Sequence, residues 1–505
     1  LFELPTANPG LATRLLHDFI TEFNTVRMPL QLRLDALEQM RPKFHIIEDY
    51  LRSRLMYKAF PKEDNELKIL QVLAALEREF TIGYWMVLKE LTHRQIGWFQ
   101  GKNVALALQR CIKGLSSVVI SHYMMCMPIP DWVWIDLHSL FKLSVKLKKD
   151  TIKVVDETNS VNKSSSPEEC YRQILLLSLT RPTGLMQKEI QLVYGFIENL
   201  FPYFGLSGHA VEGQQMQFAV LTDEDKPPFT QLELSTKRDS ATIYLNLSRL
   251  YKILENKEKF TSRSETRFSS MHVLKSHQEK PTSELLEYLE QRWLGIELQK
   301  NSLFSDRVDR YVAIGMAPAH GLQPTEMVEV NKYSAEGDEQ EFLAQSESEK
   351  MLLSIFNKTG LLSVGNLISF RKAEAGSQSQ NRSLAIVNEL IVAKQTNKIS
   401  FGINLLTTRY YPIQYALVKK ADTDNLYKGL FYNADEQFGE ASFLIVDNFM
   451  LKENTYVNMM LNKENVQLLL KNRINIGLGY WQFECQRVVM KQDDVQSPKK
   501  GYDFI

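Results

Sequence analysis

Two periodicities divide this chain. Over roughly the first two hundred residues, apolar side chains recur every three or four positions, the spacing of one face of an α-helix. Asn8 followed by Pro9 has the form of an N-cap with proline in the first turn, and Leu11, Leu15, Phe19 and Phe23 then fall at i, i+4 intervals on one expected face. Pro29 can open a second helix carrying Leu30, Leu34 and Leu37, with Pro42 and Pro61 as punctuation after it. Leu67, Leu70, Leu73 and Leu76 place a long helix over 64–92, and further helices are predicted near 104–125, 132–146, 167–179 and 187–201. The longest uncharged run, from Gly114 to Pro130, contains His122 and two prolines and reads as a buried helix ending at Pro128 rather than a membrane span.

After Gly205–Gly213 the pattern changes. Gln215–Leu221 and Ala241–Leu245 read as short strands, 247–254 as a helix, 255–283 as an exposed connection, and Leu285–Trp293 as another helix. Beyond about position 300, β-branched and aromatic residues cluster around single glycines: Tyr311–Leu322, Ser363–Phe370 and Ser400–Leu406 read as strands of a small barrel. Ser334–Lys350 and Ala375–Gln380 read as loops, and 491–505 as a polar tail. The expected domains are therefore a helical domain over 1–204, a mixed linking region over 205–298, a β-barrel region over 299–491, and a tail over 492–505. The fold class is α+β multidomain.

Composition narrows the function classes. Sixty basic and sixty acidic side chains cancel, which does not suit binding to long nucleic acid. Cys111, Cys126, Cys170 and Cys485 lie far apart, with no CxxC pair for a disulfide framework or zinc ribbon, so a reducing compartment is expected. The N-terminus has no initiator Met and no basic-then-apolar signal pattern, as expected of a chain that starts inside a longer one; secretion is not indicated.

Candidate chemistry is sparse. His122 and Cys126, with His138 further on, have metal-ligand spacing but sit in a predicted core helix. Asp131 and Asp136 flank Trp-Val-Trp-Ile and fit a helix start capped by Asp131 better than an acid–base pair. His320 follows Pro318-Ala319 and reads as a structural histidine bonding the backbone. Gly477-Leu-Gly479 reads as a turn, and Tyr123–Met127 as core. No residue set reads as a catalytic or metal centre, and no cofactor is expected.

The opening Leu4-Pro-Thr-Ala-Asn-Pro9, together with Val312–His320, Val364–Leu367, Leu384–Leu390 and Phe401–Leu406, resembles proteobacterial PilZ-domain proteins. That resemblance implies a C-terminal PilZ-like antiparallel β-barrel, cyclic di-GMP as ligand, and a non-catalytic cytoplasmic regulator. It also implies a protein partner in motility, pilus or exopolysaccharide machinery, engaged by the helical domain. Such ligands are held by arginines that fork onto phosphate and guanine or stack on the base. PilZ proteins use RxxxR and (D/N)xSxxG. Here Lys300, Arg307 and Arg310 precede the first barrel strand without i, i+4 spacing, and the RxxxR of Arg263 and Arg267 lies upstream. Ser346-Glu-Ser348-Glu-Lys-Met351 departs from the second motif at its first and last positions. Arg409, before Tyr410 and Tyr411, could stack on a base. Arg307, Arg310, Ser348 and Arg409 are thus the candidate ligand-binding residues. The alternative is an interaction scaffold whose degenerate barrel no longer binds nucleotide.

Overall fold

The structure, a computed structural model, describes residues 4–488 apart from 6, 57, 94–99, 160, 162, 215, 232–240, 257–258, 262–266, 269–279, 297–301, 324–340, 374–380, 395–396, 419–425, 435–440 and 462–463. The readings placed on Arg263, Lys300, 375–380 and the tail lie outside the described residues.

Among the described residues seven α-helices form the N-terminal part: α1 Pro9–Thr25, α2 Leu30–Leu55, α3 Asp64–His93, α4 Gly101–Met124, α5 Val133–Lys146, α6 Pro167–Leu179 and α7 Gln187–Ile197. A small hairpin of β1 Val154–Val155 and β2 Ser164–Ser165 lies between α5 and α6. Asn8 caps α1 as its sequence suggests, its Oδ1 accepting from Leu11 N at 3.3 Å. The buried stripe of α1, however, is Ala12, Leu16 and Ile20; Leu11, Leu15 and Phe19 form a second apolar stripe that faces outward. Both stripes satisfy i, i+4 spacing, so periodicity alone cannot say which one packs.

Pro42 does not end a helix. It lies inside α2, where the lost hydrogen bond is offset by Leu37, Met40 and Phe44 packing into the core and by Arg41 pairing with Asp156. Asp131 is not the cap of α5. That role falls to Asp225, ninety residues away in sequence, whose carboxylate accepts from Trp132 N and, at 2.9 Å, from Ile135 N. The apolar α4 is long enough to cross a membrane by composition, but 78% of its apolar window is buried against its neighbours. Gly114 lets α4 approach α3 closely: a Cβ there would meet Thr81 Oγ1 at 2.0 Å.

A four-stranded sheet follows, ordered β3 (Gly205–Ser207), β6 (Thr242–Asn246), β4 (Gln217–Leu221), β5 (Phe229–Gln231), with α8 Ser248–Leu254 and α9 Ser283–Trp293. Phe218, Val220, Leu245, Leu286 and Trp293 belong to the same hydrophobic core as the helices, so the mixed region has no separate core.

The β-rich remainder closes twice. The first six-stranded barrel has strand order β10-β11-β12-β9-β8-β7, from β7 Arg310–Ile314, β8 Phe342–Ser346, β9 Met351–Ile355, β10 Leu367–Lys372, β11 Ser383–Val392 and β12 Lys398–Thr407. The second runs β13-β14-β15-β18-β17-β16, from β13 Tyr411–Leu417, β14 Tyr427–Asn433, β15 Ser442–Val446, β16 Tyr456–Leu461, β17 Glu464–Gly477 and β18 Tyr480–Arg487. Ile413, Tyr415, Leu444, Val457, Leu470 and Phe483 fill its interior, and Gly479, at φ +80°, makes the hairpin turn between its last two strands.

Two details of the first barrel depart from the sequence reading. The chain leaves β7 at Gly315, φ +96°, and enters a short helix, α10 Met316–Gly321, instead of continuing as strand. Phe342–Ser346, expected as loop because acidic and serine residues surround it, pairs as a strand and sets Phe342 against Phe356 and Phe401.

By contacts the chain separates into two compact units. One comprises Leu1–Val312, Phe342–Asn366 and Ile386–Asn404; the other comprises Ala313–Glu341, Leu367–Ala385 and Leu405–Ile505. Within the first, Phe60 N donates to Leu362 O at 2.8 Å, Val392 N to Cys126 O at 2.8 Å and Thr183 Oγ1 to Glu389 Oε1 at 2.7 Å.

Candidate functional site

Of the four candidate ligand residues, three share one neighbourhood. Ser348 lies in the turn between β8 and β9, where its Oγ accepts from Lys350 N at 3.3 Å and Met351 N at 3.0 Å and so shapes the turn itself. Arg307, in the left-handed region at φ +54°, donates to Glu347 O at 3.1 Å. Arg310 is buried at the start of β7, forked onto Asp306 at 2.7 and 2.8 Å and lying 5.6 Å from the Phe304 ring centre. Arg409, in the other unit, covers Tyr411 at 5.3 Å, while Tyr410 is buried and donates to Ala319 O at 2.7 Å. Arg267 anchors structure: it forks onto Glu189 at 2.8 and 3.0 Å and donates to Gly184 O at 2.8 Å.

A further guanidinium, not singled out in the sequence, organises the second unit. Arg382 is 1% exposed; its Nε donates to Ser369 Oγ at 2.6 Å, its Nη2 to Ser369 O at 3.0 Å, and it pairs with Glu341, which also holds Arg371 at 3.0 Å. Burial works against the Glu341 carboxylate, but the two arginines outweigh it and hold its pKa below the usual range.

His138, His122 and His320, the histidines singled out in the sequence, are engaged in structure. His138 bonds Tyr171 OH at 2.7 Å and Lys226 O at 3.0 Å, His122 bonds Val118 O at 2.8 Å, and His320 bonds Ile413 O at 3.1 Å as its sequence setting suggests. Burial pushes the Cys126 and Cys485 thiols up to about 12 and Cys170 to about 11, which withholds the thiolate needed for nucleophilic chemistry. Among the described residues no group of three His, Cys, Asp or Glu side chains could hold a metal ion.

The deepest concentration of charge lies in the helical part. A cavity of about 540 Å³ opens between α2, α3, α4, α7 and the 157–163 loop. Arg41, Glu48 and Arg52 line it from α2, Glu77, Phe80 and Tyr84 from α3, and Arg110, Lys113 and Ser117 from α4. Behind it Asp156, 1% exposed, accepts from Arg41 at 2.8 Å and Gln109 at 2.7 Å, and pairs with Lys113 at 2.9 Å and Arg110 at 3.4 Å. Burial would raise the Asp156 carboxyl, yet Lys113, Arg41 and Arg110 hold it far below the carboxylate range.

Arg52 bridges Glu48 and Glu77, at 2.8 Å to each. Burial raises Glu77 to about 8; Arg52 opposes the shift and neighbouring Glu48 adds to it. Burial would also raise Glu48, but Arg52 and the His45 ring outweigh it and keep that carboxyl low. Of the pair, Glu48 is the ionised member at neutral pH. No single residue announced this site in sequence. Its only signal is that Arg41, Glu48 and Arg52 stand seven and four apart on the face of α2 that also carries buried Phe44.

The fold thus defines an α+β multidomain chain with two closed barrels. Residues 1–211 match the family model described as the N-terminal domain of the cyclic-di-GMP receptor FimW, so the helical region is receptor-like in sequence. The chain is 26% identical over 228 residues to the cyclic-di-GMP receptor FimW of Pseudomonas aeruginosa, covering 45% of this chain and 37% of that protein. The chain therefore spans well under half the length of that relative. Among solved structures, MrkH of K. pneumonia in its apo state aligns at 11% identity, covering 38% of this chain and 84% of that one, with a TM-score of 0.14. A second MrkH structure, described as a c-di-GMP-dependent transcription regulatory factor, aligns at 11% identity over 37% and 80%, with a TM-score of 0.15.

Proposed function

We propose that this protein is a non-catalytic, cytoplasmic cyclic di-GMP receptor that couples a PilZ-type barrel to a protein-binding helical domain. The observation that carries this reading is the match of the whole helical region to the N-terminal domain of a cyclic-di-GMP receptor. In this reading Arg307, Arg310 and Ser348 in one unit, and by itself Arg409 in the other, are the residues put forward for ligand binding, and ligand binding changes the affinity of the helical domain for a protein of the motility, pilus or exopolysaccharide machinery. The protonated thiols and backbone-bonded histidines support a non-enzymatic role. Four free, dispersed cysteines support a reducing compartment.

One set of observations favours a second reading, a scaffold with a degenerate barrel: Arg310 is already forked onto Asp306, Arg307 onto a carbonyl, and Arg409 onto Tyr411. Thermal melting of the full chain with and without cyclic di-GMP separates the two. Receptor function predicts a rise in melting temperature that shrinks in Arg307→Ala and Arg409→Ala, because a ligand that binds only the folded state stabilises it by mass action. An unchanged melting temperature at high ligand concentration leaves the scaffold reading.

A further inference from the structure

Helix α1 carries two apolar stripes and buries one of them. Ala12, Leu16 and Ile20 are buried in the helical core, while Leu11, Leu15, Phe19 and, just past the last turn, Val26 are 46%, 45%, 43% and 50% exposed. At 3.6 residues per turn these four fall within about 80° of one another around the helix and make a single outward face about 22 Å long. Phe19 stacks on Phe23 with ring centres 6.0 Å apart, which fixes its ring beside the row. Single exposed apolar residues are ordinary, but a contiguous row of them marks a contact surface.

The polar groups beside the row say what covers it. Arg14 and Asp18 lie on one flank with side chains 83% and 64% exposed; their own contact is 4.0 Å, and Asp18 stands 3.5 Å from His17 Nδ1, so both charges stay solvated and reachable. Glu22, also exposed, follows Asp18 one turn on. The first turn of α1 contains no acidic residue, although its N–H groups form the positive end of the helix dipole.

An antiparallel second copy of α1 meets all of these at once. With a two-fold axis beside Leu15, Leu15 packs on Leu15 of the other copy and Leu11 on its Phe19. Glu22 then reaches the start of the other helix at Asn8, supplying the carboxylate that its first turn lacks. Arg14 comes within two residues, about 3 Å along the axis, of the other copy's Asp18 on the same flank, and symmetry repeats the contact. Parallel pairing instead sets Arg14 against Arg14 and Asp18 against Asp18 and leaves Glu22 far from either N-terminus.

We propose that the outward face of α1 is a homodimer interface, formed by antiparallel pairing with α1 of a second copy of this chain. One helix face is smaller than the roughly 800 Å² per partner of a standard interface, so the dimer is in open equilibrium with monomer. The inference is independent of the receptor reading and of any ligand.

Sedimentation equilibrium of the full chain from low micromolar to several hundred micromolar protein tests it. Wild type shows a concentration-dependent monomer–dimer equilibrium, Leu15→Glu weakens it tenfold or more, and Arg14→Glu and Asp18→Arg each weaken it, whereas the two together restore it because opposite charges face one another again. Cysteine placement reads the register in a Cys485→Ser background, since the other cysteines are buried. On mild oxidation Leu15→Cys gives a disulfide-linked dimer and Leu11→Cys does not, because the two copies of position 11 lie about 12 Å apart along the axis, beyond the roughly 7 Å a disulfide spans. Three results overturn the proposal: a monomer at every concentration, a dimer that Leu15→Glu leaves unchanged, or cross-linking as efficient from Leu11→Cys as from Leu15→Cys. If circular dichroism shows Leu15→Glu unfolded, the contrast between the two cysteine variants decides. A monomer that still binds cyclic di-GMP removes this inference and leaves the receptor reading intact; a dimer that does not respond to cyclic di-GMP does the reverse.

Discussion

Asp156 shows how much one carboxylate can organise. Three cations and Gln109 converge on it inside the helical core, so removing it leaves buried charge without a counterion. Asp156→Ala should cost about 3–5 kcal/mol of stability by urea unfolding, in the range for breaking a buried ion pair from one side. The pH response follows from its depressed pKa. The unfolded chain takes up a proton near pH ~4 and the folded one only at far lower pH, so this stabilisation is complete at neutral pH and is lost as pH falls below about 4. Glu77 acts in the opposite sense. Its folded pKa, about 8, lies above the ordinary 4.5, so its contribution is full below pH 4.5 and is lost as pH rises toward 8. In Glu77→Gln that downward slope of stability between pH 4.5 and 8 should vanish in denaturation curves recorded across the window; an unchanged slope would place the titrating group elsewhere.

At the scale of elements, the helices were legible because a 3.6-residue repeat and Asn8-Pro9 are local signals; in the structure Ser166 and Glu169 add a reciprocal capping box that the sequence reading did not single out. What local signals do not contain is partner choice. Nothing near Asp131 shows that Asp225 will cap α5, and nothing in the i, i+4 spacing of α1 separates the Leu16 stripe from the Leu15 stripe. Pro42 misled for the same reason, since its helix-breaking tendency is local and the packing that overrides it is not. The strands after position 300 were visible as β-branched clusters, but the count of barrels was not, because closure depends on which strand pairs with the last. The cavity was hidden because each of its charged residues taken alone looks like part of a solvated helix face. Gly114 offers a test at this scale: Gly114→Ala drives a methyl into the Thr81 hydroxyl and should destabilise by about 1–3 kcal/mol, while Gly114→Ala with Thr81→Ala, which removes that hydroxyl, recovers part of the loss.

For the whole molecule, the helical region and the barrels support different parts of the reading. The helical part has the receptor-like sequence and the charged cavity; the barrels have the resemblance that first suggested a dinucleotide ligand, with arginines that are already engaged. The account's central claim is that the chain reads cyclic di-GMP and performs no chemistry on it. Calorimetric titration of the full chain with cyclic di-GMP, followed by analysis of the recovered ligand, tests this most directly. The account predicts saturable heat at micromolar ligand, a melting temperature raised by several degrees when ligand exceeds its dissociation constant about a hundredfold, and ligand recovered intact. Absence of heat from folded protein, or recovery of linearised dinucleotide, would contradict it.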